Sequence, residues 1–420
     1  MGTSALKTRF NLPGIKSLGP QTWYRIFVAL GIGLLAFFLR TYQAYYSTIE
    51  YDEPIYVDAA LDYTAAFQSG GLLNLSQVTY NIEHPAFNKV LYGAMLIQAK
   101  PVKRGNISMP PEIQIFDLIH FRKIFAMRMF SVILGSLAVI LLSLINPLAG
   151  FFLAIHSFAV KFTSVIYLEA LPLLLSMVTV LAWSWYLQYL ERSSERGPGK
   201  TWKWPALSSV CLGLAAAYKY LYATAGIAIV IYTGIWLAKT RKWSVIPVLI
   251  GWGLGALLVF FLANPTLWPD PVGRLTESLS FSMVYSQNDP VVTVKNYPVW
   301  QPFVWLMAAI PQQDPKLTPF FVHLQDFFFA ADPFIFLLAI IGLPSLYRKK
   351  PLYLVWWVVG LFFLLVWKTK WPQYILILLV PMSLSAAMGL TQLKSILLGL
   401  STRLSQSTSG ESQSDSQRLP

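Results

Sequence analysis

Ten apolar runs, most of them about as long as a bilayer is thick, decide what this chain can fold into. They cover residues 23–40, 125–145, 148–166, 171–190, 204–222, 223–238, 243–263, 333–347, 352–367 and 374–390. Crossing ~30 Å of hydrocarbon at 1.5 Å per residue takes about 20 residues. Inside hydrocarbon each backbone N–H and C=O must find a partner within its own segment, so such runs are helices. The expected architecture is an all-α integral membrane bundle of about ten spans, with further helices lying outside at the membrane surface.

Composition agrees. The chain is 55% hydrophobic and 12% charged, about half the charged fraction of a globular domain. Its net charge of +13 comes from basic residues scattered between apolar runs, which fits loops that orient helices and argues against nucleic acid as a partner. The single cysteine, Cys211, lies inside an apolar run, which leaves no disulfide framework and no thiolate metal site. Histidines at 84, 120, 156 and 323 form no pair at metal-ligand spacing, which argues against zinc.

Lys7, Arg9 and Lys16 precede the first run, so residues 1–22 read as a cytoplasmic leader. Residues 23–400 form the membrane domain, and the Ser/Gln-rich stretch 401–420 reads as a disordered tail. Segment 84–99 is apolar but short, with Lys89 inside it. Treating it as an outer surface helix brings the basic loops 191–203, 239–242 and 348–350 to the cytoplasmic side together. Segments 41–123 and 264–331 are then the outer loops. The second is rich in proline and aromatics, among them Pro265, Trp268, Pro269, Tyr285, Trp300 and Trp305, and reads as an interfacial lid with one or two helices.

The first outer loop collects acids. Of 19 acidic residues in 420, Glu50, Asp52, Glu53, Asp58, Asp62 and Glu83 fall within residues 50–83. Carboxylates crowded beside a membrane are solvated, bind a cation or do chemistry. Pro54 suits a first helical turn, with Glu53 or Asp52 as its cap and Gly70-Gly71 as the stop. The chemical reading of the pair is a general base, a carboxylate placed to take a proton from an attacking group.

Asp52-Glu53, then Glu83-His84-Pro85 with Lys89 four residues past the proline, resembles the first outer loop of the family-39 glycosyltransferases. Those are membrane enzymes of the C-type fold that include protein O-mannosyltransferases and lipid A aminoarabinose transferases. Ala86 departs from the family's second proline, and His84 stands where the aminoarabinose transferases carry lysine. Three further segments add to the likeness: Arg128 opening a span, Glu169 where the family has a second acid, and Lys219 in Gly213-Leu214-Ala215 to Lys219-Tyr220. A fourth, Lys370-Trp371-Pro372, is similar to a late family segment. The resemblance is strong over about the first 240 residues and thinner beyond.

What the resemblance implies is a polyprenyl-phosphate sugar as donor, mannose-like or another hexose or pentose, and inverting transfer on the extracytoplasmic face of a bacterial plasma membrane. The acceptor would be a hydroxyl of a protein, lipid or glycan. Asp52 is the implied base, with Glu53 beside it. His84, Lys89, Arg128, Lys219 and Lys370 are expected at the donor phosphate, and Glu83 and Glu169 at acceptor orientation or cation binding. No cofactor is assigned, and the need for a divalent cation stays open. The rival class is a transporter or flippase of a lipid-linked sugar. Transporters place such acids at mid-membrane on broken helices, whereas these cluster in an outer loop.

Overall fold

The computed structural model describes residues 19–98, 111–192, 202–288, 292–293, 296–307 and 319–415. The regular elements among the described residues are all helices, with no strand among them. Residues 1–18 of the expected leader, the basic residues Lys100, Lys103 and Arg104, and most of loop 191–203 lie outside the described set.

α1 (Pro20–Tyr46) packs along α5 (Phe121–Ile145). Between them come α2 (Glu53–Gly70), α3 (Phe87–Met95) and α4 (Pro111–Leu118), packed as a small outer group. α2 starts and stops where the sequence signals place it: Pro54 lies in its first turn, and Gly71 takes φ 73° just past its end. Only glycine adopts that backbone readily. α3 has nine residues, about 14 Å at 1.5 Å per residue, too short to cross. It does not skim the surface as expected. It packs on α2 and α9 (Lys203–Tyr218) and buries Asn88, Lys89, Tyr92 and Gly93. A Cβ at Gly93 would lie 2.8 Å from the Ala60 carbonyl oxygen of α2, so glycine permits the approach.

The expected span 148–166 is not one helix. It is split into α6 (Pro147–Ile155) and α7 (Ser157–Phe162) at an extended His156. Asn146 caps α6 through Oδ1, which accepts from Leu148 N and Ala149 N at 3.0 and 3.1 Å. Polar groups from other helices hold the break. Asp332 accepts from Ser157 N at 3.0 Å and from Ser157 Oγ, while Arg40 of α1 donates to Thr163 Oγ1 at 2.8 Å and to the Leu153 and Ala154 carbonyls at 3.4 Å. These partners satisfy backbone that a broken helix would otherwise leave bare in hydrocarbon.

α8 (Ala170–Arg192) packs on α9, and α9 on α11 (Ile246–Leu262), while α10 (Thr224–Thr240) packs on α15 (Pro351–Val366). α12 (Pro271–Asn288) and α13 (Gln301–Met307) supply two helices in the expected lid, of which residues 308–318 lie outside the described set. α14 (Pro319–Lys349) and α16 (Leu376–Asp415) make the most extensive pairing. A Cβ at Gly342 would fall 1.9 Å from the Ser385 carbonyl oxygen, so that crossing needs glycine. α16 continues as helical backbone to Asp415, through a stretch expected to be disordered. Extending a helix already nucleated is cheap, and Gly410 is the one strong helix opponent there.

Among the described residues seven helices are long and apolar enough to cross a membrane, against the ten spans expected. Besides the break at His156, α9 and α15 have 16 residues each, about 24 Å at 1.5 Å per residue. The helical membrane bundle stands, and the expected count of about ten spans is not confirmed.

Candidate functional site

The acid pair is divided between two environments. Glu53, fully buried, accepts from Arg128 Nε and Ile166 N at Oε1, both at 2.9 Å, and from Arg128 Nη2 at 2.5 Å and Glu50 N at 2.9 Å at Oε2. Arg128 uses its remaining donors on Ala44 O, Ser47 O, Ser47 Oγ and Thr48 O, at 2.8–3.1 Å. The guanidinium fork is thereby filled. This pair ties the end of α1, the start of α2 and the segment after α7 together. Arg128, expected at a phosphate, and Glu53, expected as cap or catalyst, are here joined to each other.

Asp52 occupies the N-cap position of α2 but makes no side-chain cap hydrogen bond. Its half-buried carboxylate accepts from the Tyr167 hydroxyl. Burial pushes its pKa up to about 6. The Lys219 charge and the Tyr167 hydrogen bond pull it down, and Glu50 and Glu169 push it up. The sequence offered Glu53 or Asp52 as the cap of α2; Asp52 makes no cap hydrogen bond, and Glu53 is held by Arg128 instead.

Lys219 lies where α9 ends, in extended backbone (φ −156°, ψ 121°) that turns its side chain out of the helix. Its Nζ pairs with Glu169 Oε1 and sits 4.8 Å from the centre of the Tyr374 ring. Glu169 is fully buried and also accepts from the Tyr222 hydroxyl at 3.0 Å. Burial pushes its pKa up, against the opposing pull of Lys219 and Tyr222. His84 Nε2 is 3.5 Å from the Tyr56 hydroxyl, with the rings edge to face at 5.7 Å. Burial, then the Lys219 and Lys89 charges, hold His84 well below the usual histidine range. Asp52, Tyr56, His84, Tyr167, Glu169, Lys219 and Tyr374 thus come from five separate segments to one place.

The other expected residues brace this place instead of entering it. Lys89, buried, donates to Asn81 O at 2.5 Å and His84 O at 2.9 Å, and burial brings its pKa down to about 7. Glu83 Oε1 accepts from Asn81 Nδ2 at 2.5 Å, and Asn81 itself takes φ 56°. Together they fix the turn that carries His84. Lys370 donates to the carbonyls of Leu364, Leu365 and Trp367 at 2.9, 3.2 and 2.7 Å, matching its three N–H donors to the end of α15. Its neighbour Lys368 is exposed, and both line a cavity of about 460 Å³ with Asn296, Tyr297, Trp367 and Trp371.

Sequence reasoning missed the phenols of Tyr222 and Tyr374 and the ion pair Lys161–Glu50, 2.9 Å long. It also missed Arg40 and Asp332 at the helix break. The available signal was the polar content of 148–166: His156, Ser157, Lys161, Thr163 and Ser164 are too many for a plain span. Among the described residues no group of three or more His, Cys, Asp or Glu side chains is placed to hold a metal ion.

No protein-family profile matches the sequence, and the search of curated proteins finds no match. Solved structures do match. The crystal structure of ArnT from Cupriavidus metallidurans bound to undecaprenyl phosphate superposes with TM-score 0.51 at 14% identity, over 89% of this chain and 61% of that one. The apo state of the same protein gives TM-score 0.48 at 15% identity, over 88% and 59%. The chain therefore shares the fold of the undecaprenyl phosphate-bound structure, and it spans about three-fifths of that protein's length.

Proposed function

We propose that this chain, a membrane bundle with the C-type glycosyltransferase fold, moves a sugar from a polyprenyl-phosphate donor to an acceptor hydroxyl on the outer face of the plasma membrane, with inversion. The observation that carries the reading is Asp52: a half-buried carboxylate not used for capping, pushed up to about 6, in a cluster that also holds a lysine. A general base works best with a pKa near the operating pH. The fold's likeness to a protein bound to undecaprenyl phosphate supports the donor class.

In this reading Asp52 takes the proton from the acceptor hydroxyl as that oxygen bonds to the anomeric carbon. The bond from that carbon to the phosphate oxygen breaks, and the phosphate leaves with the electron pair. Lys219 meets that anion by turning from Glu169, a buried carboxylate that burial biases toward its neutral form. Tyr167 orients the base, and His84 stands beside Tyr56. A hexose or pentose, mannose-like or other, and a protein, lipid or glycan hydroxyl complete the substrate classes proposed.

The test is turnover by purified protein in detergent, given a panel of polyprenyl-phosphate sugars and acceptors. Transfer needs one compartment and transport needs two. Release of polyprenyl phosphate with sugar on the acceptor supports the reading. Movement of lipid-linked sugar across vesicles with no turnover in detergent would favour a flippase.

A further inference from the structure

Two cations from different helices hold the acids on either side of Asp52. The turn 50–53 is closed by Glu53 N donating to Glu50 O at 3.1 Å and Glu50 N donating to Glu53 Oε2 at 2.9 Å. Arg128 of α5 holds Glu53. Lys161 of α7 holds Glu50, Nζ to Oε1 at 2.9 Å, with both side chains about one-seventh exposed. α7 is itself pinned at both ends. Asp332 accepts from Ser157 in its first turn, and Arg40 donates to Thr163 just past its last. A six-residue helix held this way offers a fixed ammonium group, not a mobile surface lysine.

We infer that Lys161 is a positioning residue for Asp52: by pairing with Glu50 it fixes the turn that presents the base and offsets the negative charge two residues before it. The inference rests on Asp52 being the base. It explains why a lysine stands inside an otherwise apolar run, where an unpaired charge is costly. Because that pair is partly exposed, unlike Arg128–Glu53, it can be changed without leaving a fully buried charge alone.

The groups that face Asp52 are known from each element packed against it. Tyr56 belongs to its own helix, and Tyr167 and Glu169 to the segment after α7. Lys219 comes from the end of α9, Tyr374 from the turn before α16, and Glu50 from its own turn. Of these, Glu50 is the one whose charge Lys161 balances. Removing Lys161 leaves Glu50 uncompensated, and a like charge nearby disfavours the ionised form of Asp52.

The experiment is an infrared titration of the full chain in detergent, following the protonated-carboxyl band that Asp52→Asn abolishes, so it reads the base without needing turnover. Lys161→Met should move the midpoint upward by about one pH unit, the scale of one nearby charge. Lys161→Arg should leave it in place, and Lys161→Met with Glu50→Gln should bring it back. Should Lys161→Met not fold, Glu50→Gln alone serves, and it should move the midpoint down. An unmoved midpoint in Lys161→Met, or a shift that survives the added Glu50→Gln, would overturn the inference. A shift as expected, alongside full turnover by Asp52→Asn, would leave the coupling in place and remove the base, so the two failures separate.

Discussion

Arg128 and Glu53 meet side-on, Nε to Oε1 at 2.9 Å and Nη2 to Oε2 at 2.5 Å, with side chains only 3% and 0% exposed. Planar, bidentate pairing of this kind is specific to arginine. It places Glu53 in the framework and leaves Asp52, beside it, as the proposed base.

Breaking that pair from one side should unfold the outer group before it affects catalysis. Glu53→Gln or Arg128→Met strands a buried charge or donor, at a cost of about 3–5 kcal/mol. Arg128→Lys, which cannot make the fork, should fall between them and the native protein. Thermal unfolding in detergent reads the order. A Glu53→Gln protein that melts like the native one would show that the pair is not structural.

Lys219 and Lys370 should separate in a donor titration. Lys219→Gln removes the proposed phosphate contact and should weaken donor use by about 1.5–3 kcal/mol, the scale of a charged hydrogen bond. Lys370→Gln uncaps α15 and should lower the melting temperature, by about 1 kcal/mol of stability, with little change in donor KM. The reverse pattern would return Lys370 to the donor phosphate and leave Lys219 as a brace.

The outline of this account was legible in the sequence, and its interior was not. Apolar runs announce a membrane bundle because hydrocarbon tolerates little else. Pro54 and Gly71 mark the limits of α2 by steric rules that need no tertiary context. The break at His156 escaped because hydropathy averages over polar residues that pair inside the bundle. Arg40 looked like a span boundary and is buried against Thr163, while Asp332 stands just outside the apolar run that begins at 333. Which acid is framework and which is free depends on where Arg128 arrives from 75 residues away, and no local pattern carries that.

Topology gives an independent check. In a Cys211→Ser background, Thr79→Cys and Lys239→Cys place single exposed thiols on the two sides expected. An impermeant thiol reagent on intact cells should label position 79 and spare 239. Labelling of 239 would invert the bundle and put the Asp52 cluster on the cytoplasmic side.

The raised pKa of Asp52 makes a prediction about stability as well as rate. Its folded-state pKa, about 6 against an ordinary 3.8, means the folded chain holds the proton more tightly than the unfolded one. The associated stability is fully present below the ordinary value and is lost as pH rises through about 6. Asp52→Asn should therefore melt no lower than the native protein at pH 8, and its melting temperature should fall less between pH 4 and 8. A variant clearly less stable than native at pH 8 would mean that Asp52 holds the fold together.

The central claim is tested most directly by turnover of Asp52→Asn with saturating donor, measured against pH beside the native protein. Native activity should rise as the base ionises, through about 6, and then level. Asp52→Asn should lose about 10²–10⁴-fold in rate, the range of a general base, while still folding and binding donor. If the variant kept more than about a tenth of the native rate, against that range, or showed the same rise through pH 6, another group would be the base.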